Sequence, residues 1–324
     1  MMKAFKILFL ALFALVSTQS AGQQQLFLNQ TGGAPPTAGL LDQYKGAAFA
    51  AAPDVLLYST YSATDDIAGS LTNGQVGQWS VAVFRDFDDA IKSFTPAEVA
   101  DGTANTWVQE LGPSDGFVTR FYDQSVTALD VSNLNHADQS DPTKMPKLFD
   151  SSTGLVVENG KAALLFSGNQ WLKSVFASSI SPVSGFLVVN HIPGTFALDD
   201  NDEINNNSLV ALSNTQIRLW SGTTSVQACF SDIPAGLIDN QVLSSFISNG
   251  ASSKLRTNAQ YEGVPSDASG TVRTMSGCTL GAAGTNVAAL NGGNIALCVL
   301  YGSNKTSDLA AIETAINNEY NIYP

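Results

Sequence analysis

Tyr122, Asp123, Gln124 and Ser125 close the stretch "GFVTRFYDQS" with a carboxyl, an amide and two hydroxyls in consecutive positions. Such a set suits proton transfer, a polar grip on a sugar, or the bonding of loop amides at the end of a strand. Strict alternation puts Val118, Arg120 and Tyr122 on one face and Phe121 on the other, so Asp123, Gln124 and Ser125 fall at the strand's exit. That position favours a structural corner, with part of a ligand site as the alternative.

A second polar cluster, "LDDNDEINNNS", gathers Asp199, Asp200, Asp202 and Glu203, whose oxygens suit calcium. The EF-hand pattern fails, because the sixth position counted from Asp199 is Ile204 where that loop needs Gly. A hydrated acidic loop is the plainer reading, and calcium is the only cofactor the sequence suggests. Trp220, in "IRLWSG" beside a turn, and then Trp171 are the aromatic candidates for stacking on the apolar face of a sugar. Trp79 and Trp107 sit in patterns that read as core. No Gly-x-Ser-x-Gly elbow and no glycine-rich phosphate loop before a helix is present, and the two histidines are His136 and His191. His191, at the end of the apolar run "GFLVVNHI", reads as an ordinary hydrogen-bonded histidine. Cys229, Cys278 and Cys298 have no zinc-type spacing, and Cys229 and Cys298 lie in apolar runs that suit buried small side chains.

The elements that must position these residues read mostly as strands. From Phe117 onward, apolar runs of strand length such as "KAALLFSG", "GFLVVNHI", "QVLSSFIS", "SKLRTNAQYE" and "GNIALCVLYG" alternate with Asn-Gly, Ser-Gly and Pro turns. No long helix is interleaved, so the fold class is all-β: an antiparallel jelly-roll sandwich with a few short helices. Short helices are expected at "GLLDQYKGAAFA", "TPAEVAD" and "ANTWVQEL". The chain closes on a helix, "TSDLAAIETAINNEYNIYP", capped by Thr306 or Ser307, with Leu309, Ile312, Ile316 and Tyr320 on one face and the sandwich edge or rim as its seat.

A chain of 324 residues with 44% hydrophobic and 13% charged residues buries a sizeable core. Its net charge of -13 repels phosphate backbones, which argues against nucleic acid as a partner. Residues 1–22 combine Lys3 and Lys6 with a short apolar run, the pattern of a secretory signal or, alternatively, of a membrane-tethering tail. No later segment has the length of a membrane span. Residues 23–39, rich in Gln, Gly and Pro, read as a linker or arm, and 40–324 as one sandwich domain. The localisation expected is secreted or cell-surface.

The segment "RDFDDAIKSFTPAEVADGTANTWVQELGPSDGFVTRFYDQS", continued by "ENGKAALLFSG", resembles the arabinofuranosidase B type catalytic module and its relatives in bacterial and phage surface proteins. The tail looks like the closing strands and helix of a laminin G or concanavalin A-like sandwich. The resemblance implies a concanavalin A-like fold and makes a virion component a second localisation. Those relatives follow Tyr-Asp-Gln-Ser with a Gly-Asn-Gly-Asn turn, replaced here by "VTALDVSNLNHADQS". A retaining arabinofuranosidase needs two carboxylates ~5 to 5.5 Å apart. In the register this resemblance implies, the nucleophile region falls on "SNTQIRLWSG", with Gln216 and Arg218, and the acid region on "LGAAGTNVAALNGG", with Thr285 and Asn286. Neither holds a carboxylate, so no catalytic residue is assigned. The expected role is structural or glycan-adhesive, with the N-terminal arm meeting another copy or a surface partner. An active hydrolase using Asp199, Asp202, Glu203 or Asp232, and a purely architectural subunit, are the alternatives.

Overall fold

A computed structural model describes residues 55–59, 79–123, 135–190, 192–200, 210–212, 215–220, 227–265, 272, 274–282 and 291–324. These all belong to one compact unit, Gly39–Pro324. Both N-terminal segments, the helix candidate at 39–50, Gln124, Ser125, His191, Asp202, Glu203, Thr285 and Asn286 lie outside the described residues. No helix among the described residues is long and apolar enough to cross a membrane.

The described chain is an antiparallel β-sandwich with few helices. One layer centres on three long strands: Val183–Asn190 pairs on one side with Gln241–Ser248 and on the other with Asn291–Tyr301. The opposite edge of Asn291–Tyr301 is shared by Val55–Ser59 and Leu164–Ser167. The second layer runs from Ala90–Phe94 through Val81–Arg85, Gly116–Phe121, Ala137–Asp138, Leu172–Ile180 and Met275–Leu280 to Thr195–Asp200. It continues through Val210–Leu212 and Gln216–Trp220 to Gln227–Asp232. Strand Lys147–Asp150 joins the layers by pairing with both Leu164–Ser167 and Gly116–Phe121.

The main core lies between the layers. Leu187, Val189, Val242, Phe246 and Leu300 from the first layer meet Val118, Phe121, Leu172, Leu198, Leu219 and Leu280 from the second, all with 0% exposure. Alternate residues of the same long strands, Phe186, Val188, Leu243, Ile247, Leu297, Val299 and Tyr301, form a second cluster on the outer side. Helix Leu309–Tyr320 covers that cluster with Leu309, Ile312, Ile316 and Tyr320. The helix therefore lies on the face of the layer and not on its edge or rim. Three strands with both faces buried read as continuous apolar runs, which hides from the sequence that a second face needs covering. The helix cap also differs from the expectation: Asp308 occupies the N-cap without a side-chain bond to the helix N–H groups, while Thr306 turns back to Asn304 Oδ1.

Local chemistry sets several other boundaries. Thr95 and Glu98 form a reciprocal capping box that starts helix Pro96–Ala100. The run "SKLRTNAQYE" is not one strand, because Asn258 and Ala259 take positive φ and fold it into the hairpin Lys254–Thr257 and Tyr261–Glu262. Cys229, Cys278 and Cys298 are buried and none is in a disulfide, and burial raises the Cys229 pKa to about 11.

Candidate functional site

Strand Gly116–Phe121 departs from alternation at one residue. Val83 pairs with Val118 while its neighbour Ala82 pairs with Arg120, so Thr119 is an extra residue, a β-bulge. Val118 and Phe121 consequently both reach the core with 0% exposure, and Arg120 and Tyr122 turn together to the other side. The expected face shared by Val118, Arg120 and Tyr122 is thus corrected: the bulge re-phases the strand between Val118 and Arg120.

On that side is a pocket of about 300 Å³ lined by Ala82, Ile91, Ser93, Thr119, Arg120, Tyr122, Asp138, Gln139 and Ser140. The Arg120 guanidinium grips Asp138 through two parallel bonds, Nε to Oδ1 at 2.6 Å and Nη2 to Oδ2 at 2.9 Å. Those bonds hold the Arg120 pKa above its ordinary value. The two side chains are 36% and 48% exposed, so the pair opens to solvent. Tyr122 Oη and Ser93 Oγ share a hydrogen bond of 2.8 Å. Thr119 and Gln139 exchange bonds, Thr119 Oγ1 donating to Gln139 O and Gln139 N–H to Thr119 O, each at 2.8 Å. Arg120 lies 5.7 Å over the Tyr122 ring, and His136 meets that ring edge-on at 4.9 Å.

His136 was not a candidate in the sequence, yet it supports the site from beneath. It is 3% exposed, and its Nδ1 accepts the Asp123 backbone N–H at 3.1 Å, which places the ring proton on Nε2. Burial, with the Arg120 charge nearby, lowers its pKa to about 4. Asp123 itself is fully buried, in keeping with a corner, while Tyr122 presents its hydroxyl to the pocket. Of the signature's two described residues, Asp123 is thus buried and Tyr122 borders the pocket.

Sheet register ties the pocket to the acidic segment. Arg120 lies opposite Asp138, Asp138 opposite Lys173, Lys173 opposite Thr279, and Thr279 opposite Asp199, so all five share one face. Asp199 and Asp200 are strand residues, 1% and 5% exposed, which corrects the hydrated-loop reading for these two. They are drawn into the sheet by pairing with Thr279 and Cys278. Among the described residues no group of three or more His, Cys, Asp or Glu is placed to hold a metal. Strand spacing puts Asp138 and Asp199 three strands apart, ~14 Å.

Gln216 and Arg218 share a face of strand Gln216–Trp220; Gln216 Nε2 donates to Asp232 Oδ1 at 2.8 Å and Arg218 Nε to Gln216 Oε1 at 3.2 Å. Trp220 ends that strand, and its ring lies outside the described side chains. Trp171 is half-buried beside the pocket's rim, where its carbonyl accepts from Gln139 Nε2 at 3.3 Å, but its ring does not line the pocket. Trp107 is fixed by Arg85, which sits 4.3 Å over its ring, bonds its carbonyl at 2.6 Å and grips Asp88. The "RDFDD" turn is thereby tied to helix Thr103–Gln109.

No protein-family model matches the sequence, and no curated protein matches it. Solved structures of similar fold do exist. A GH54 α-L-arabinofuranosidase soaked with a cyclic sulfate inhibitor is 13% identical with a TM-score of 0.52, covering 86% of this chain and 64% of that chain. A Glu-to-Gln mutant of a GH54 α-L-arabinofuranosidase soaked with 4-nitrophenyl α-L-arabinofuranoside is 14% identical with a TM-score of 0.53 over the same shares. The likeness establishes the β-sandwich fold, and this chain spans 64% of the length of the enzymes it matches.

Proposed function

We propose that this chain is a non-catalytic β-sandwich module acting outside the cell or on a particle surface, with a glycan-adhesive role built on the Arg120 pocket. The observation that carries the reading is the pocket itself. Its volume is at the lower end of ligand-site sizes, and its lining combines a fixed charge pair, hydroxyls and an amide with the apolar Ile91 and Ala82. Asp138 is the one carboxylate among its described lining residues, and it is occupied by Arg120. Asp199 lies ~14 Å off, beyond the ~6.5 to 9.5 Å of an inverting pair and the shorter spacing of a retaining one. The signal-like N-terminus supports export to a cell surface, or to a virion that meets membrane. No bound metal is required by this reading.

A retaining arabinofuranosidase-type hydrolase is the second reading, favoured by the fold shared with those enzymes. Purified protein is to be incubated with aryl arabinofuranosides and, in parallel, applied to a glycan array with and without calcium. Binding without turnover is the expected result. Turnover abolished by one Asp or Glu substitution would replace the module by the enzyme, and silence in both assays would leave an architectural subunit.

A further inference from the structure

We infer that the pocket recognises a neutral sugar through a vicinal diol clamped by the Arg120–Asp138 pair. The inference rests on the adhesive reading above and specifies its ligand.

The bonding capacity left in the pocket points to this chemistry. Arg120 has five N–H donors and uses two of them on Asp138, while each Asp138 oxygen keeps a lone pair directed away from the guanidinium. The pair offers donors and acceptors side by side in a fixed plane. One hydroxyl of a diol donates to Asp138 while its neighbour accepts from Arg120. The Tyr122–Ser93 contact consumes one hydroxyl hydrogen, so the other is left to donate to a ring or glycosidic oxygen. Ile91, 60% exposed, and Ala82 face the sugar's C–H side without an aromatic stack.

Charge excludes the other classes. Arg120 and Asp138 cancel, and among the described residues no other charged side chain lines the pocket. A uronic acid would set its carboxylate against Asp138, and an amino sugar would set its ammonium against Arg120. Lys173, next in the row beyond Asp138, does not line the pocket.

The test is saturation-transfer NMR and calorimetry on the full chain with methyl glycosides of xylose, mannose and galactose. The methyl glycosides of glucuronic acid and glucosamine, and a deoxy analogue of each neutral sugar that binds, complete the set. At least one neutral glycoside is expected to bind, and removal of one diol hydroxyl to weaken it tenfold or more. Asp138→Asn and Arg120→Gln should each cost a similar factor, with the double variant little worse than either, because one diol spans both groups. Lys173→Gln should leave binding unchanged. The pair is exposed and contributes little to stability, so the variants stay folded, as a thermal melt verifies. Preference for the glucuronide or glucosaminide, or indifference to the deoxy change, overturns the diol assignment while the adhesive reading stands. Glycan binding unaffected by both pocket substitutions moves the ligand elsewhere on the module. Binding of no sugar by array or NMR removes both.

Discussion

His136 is the residue whose protonation the fold constrains most clearly. Burial of its ring, with the Arg120 charge nearby, lowers its pKa from 6.5 to about 4, and the neutral ring accepts a backbone N–H. Below pH 6.5 the unfolded chain binds the proton and the folded chain does not, so stability is full above that pH and drains away as pH falls towards 4. At ~1.4 kcal/mol per pH unit the loss is about 3 kcal/mol. Urea unfolding at pH 7, 5.5 and 4 should register that slope, and His136→Gln should remove it; an unchanged slope in the variant would refute the assignment. Gly185 is constrained by space instead of charge. A Cβ there would stand 2.1 Å from the Phe246 ring, so Gly185→Ala is expected to cost about 1–3 kcal/mol, read as a lowered urea midpoint with unchanged m.

Among the elements, the helix Pro96–Ala100 was legible in the sequence because its capping box is local: Thr95 and Glu98 are three residues apart and bond reciprocally. Thr95→Ala should lower stability by about 1 kcal/mol, seen as a melting point a few degrees lower. The bulge at Thr119 was not legible. "FVTRFYD" alternates on paper, and nothing local says that one residue must be spare; the pairing of Ala82 with Arg120 and Val83 with Val118 decides it. The same limit applies to Asp199 and Asp200. Acidic, Asn-rich surroundings suggest a loop, but pairing with Thr279 and Cys278, some eighty residues later, makes them strand.

At the level of the whole molecule, the closing helix is held to the sandwich by ion pairs as well as by apolar contact. Glu313 is fully buried and meets Arg256 of the sheet at 2.8 Å, and Lys161 reaches Glu319 at 2.5 Å. Burial raises the Glu313 pKa above its ordinary 4.5, with Arg256 opposing. The folded state therefore holds this proton more tightly, and stability falls as pH rises through the window above 4.5. Arg256→Ala leaves the carboxylate uncompensated, an expected cost of about 3–5 kcal/mol at pH 8 that shrinks towards pH 5 as Glu313 protonates. Equal losses at both pH values, measured by chemical denaturation, would show that Arg256 acts through packing alone.

The sequence by itself determined the class of the fold: two-residue periodicity, turn residues at short intervals and the lack of long helical patterns are local properties of the chain. It also determined the closing helix and the apolar residues that line one side of it. Only the tertiary structure decided which face that helix covers, where the signature strand re-phases, and which polar residues meet. Arg120, Asp138, Lys173, Thr279 and Asp199 come into one row through strand register. Register is a pairing of distant segments, selected by burying one face of every strand at once, and no window of the sequence contains it.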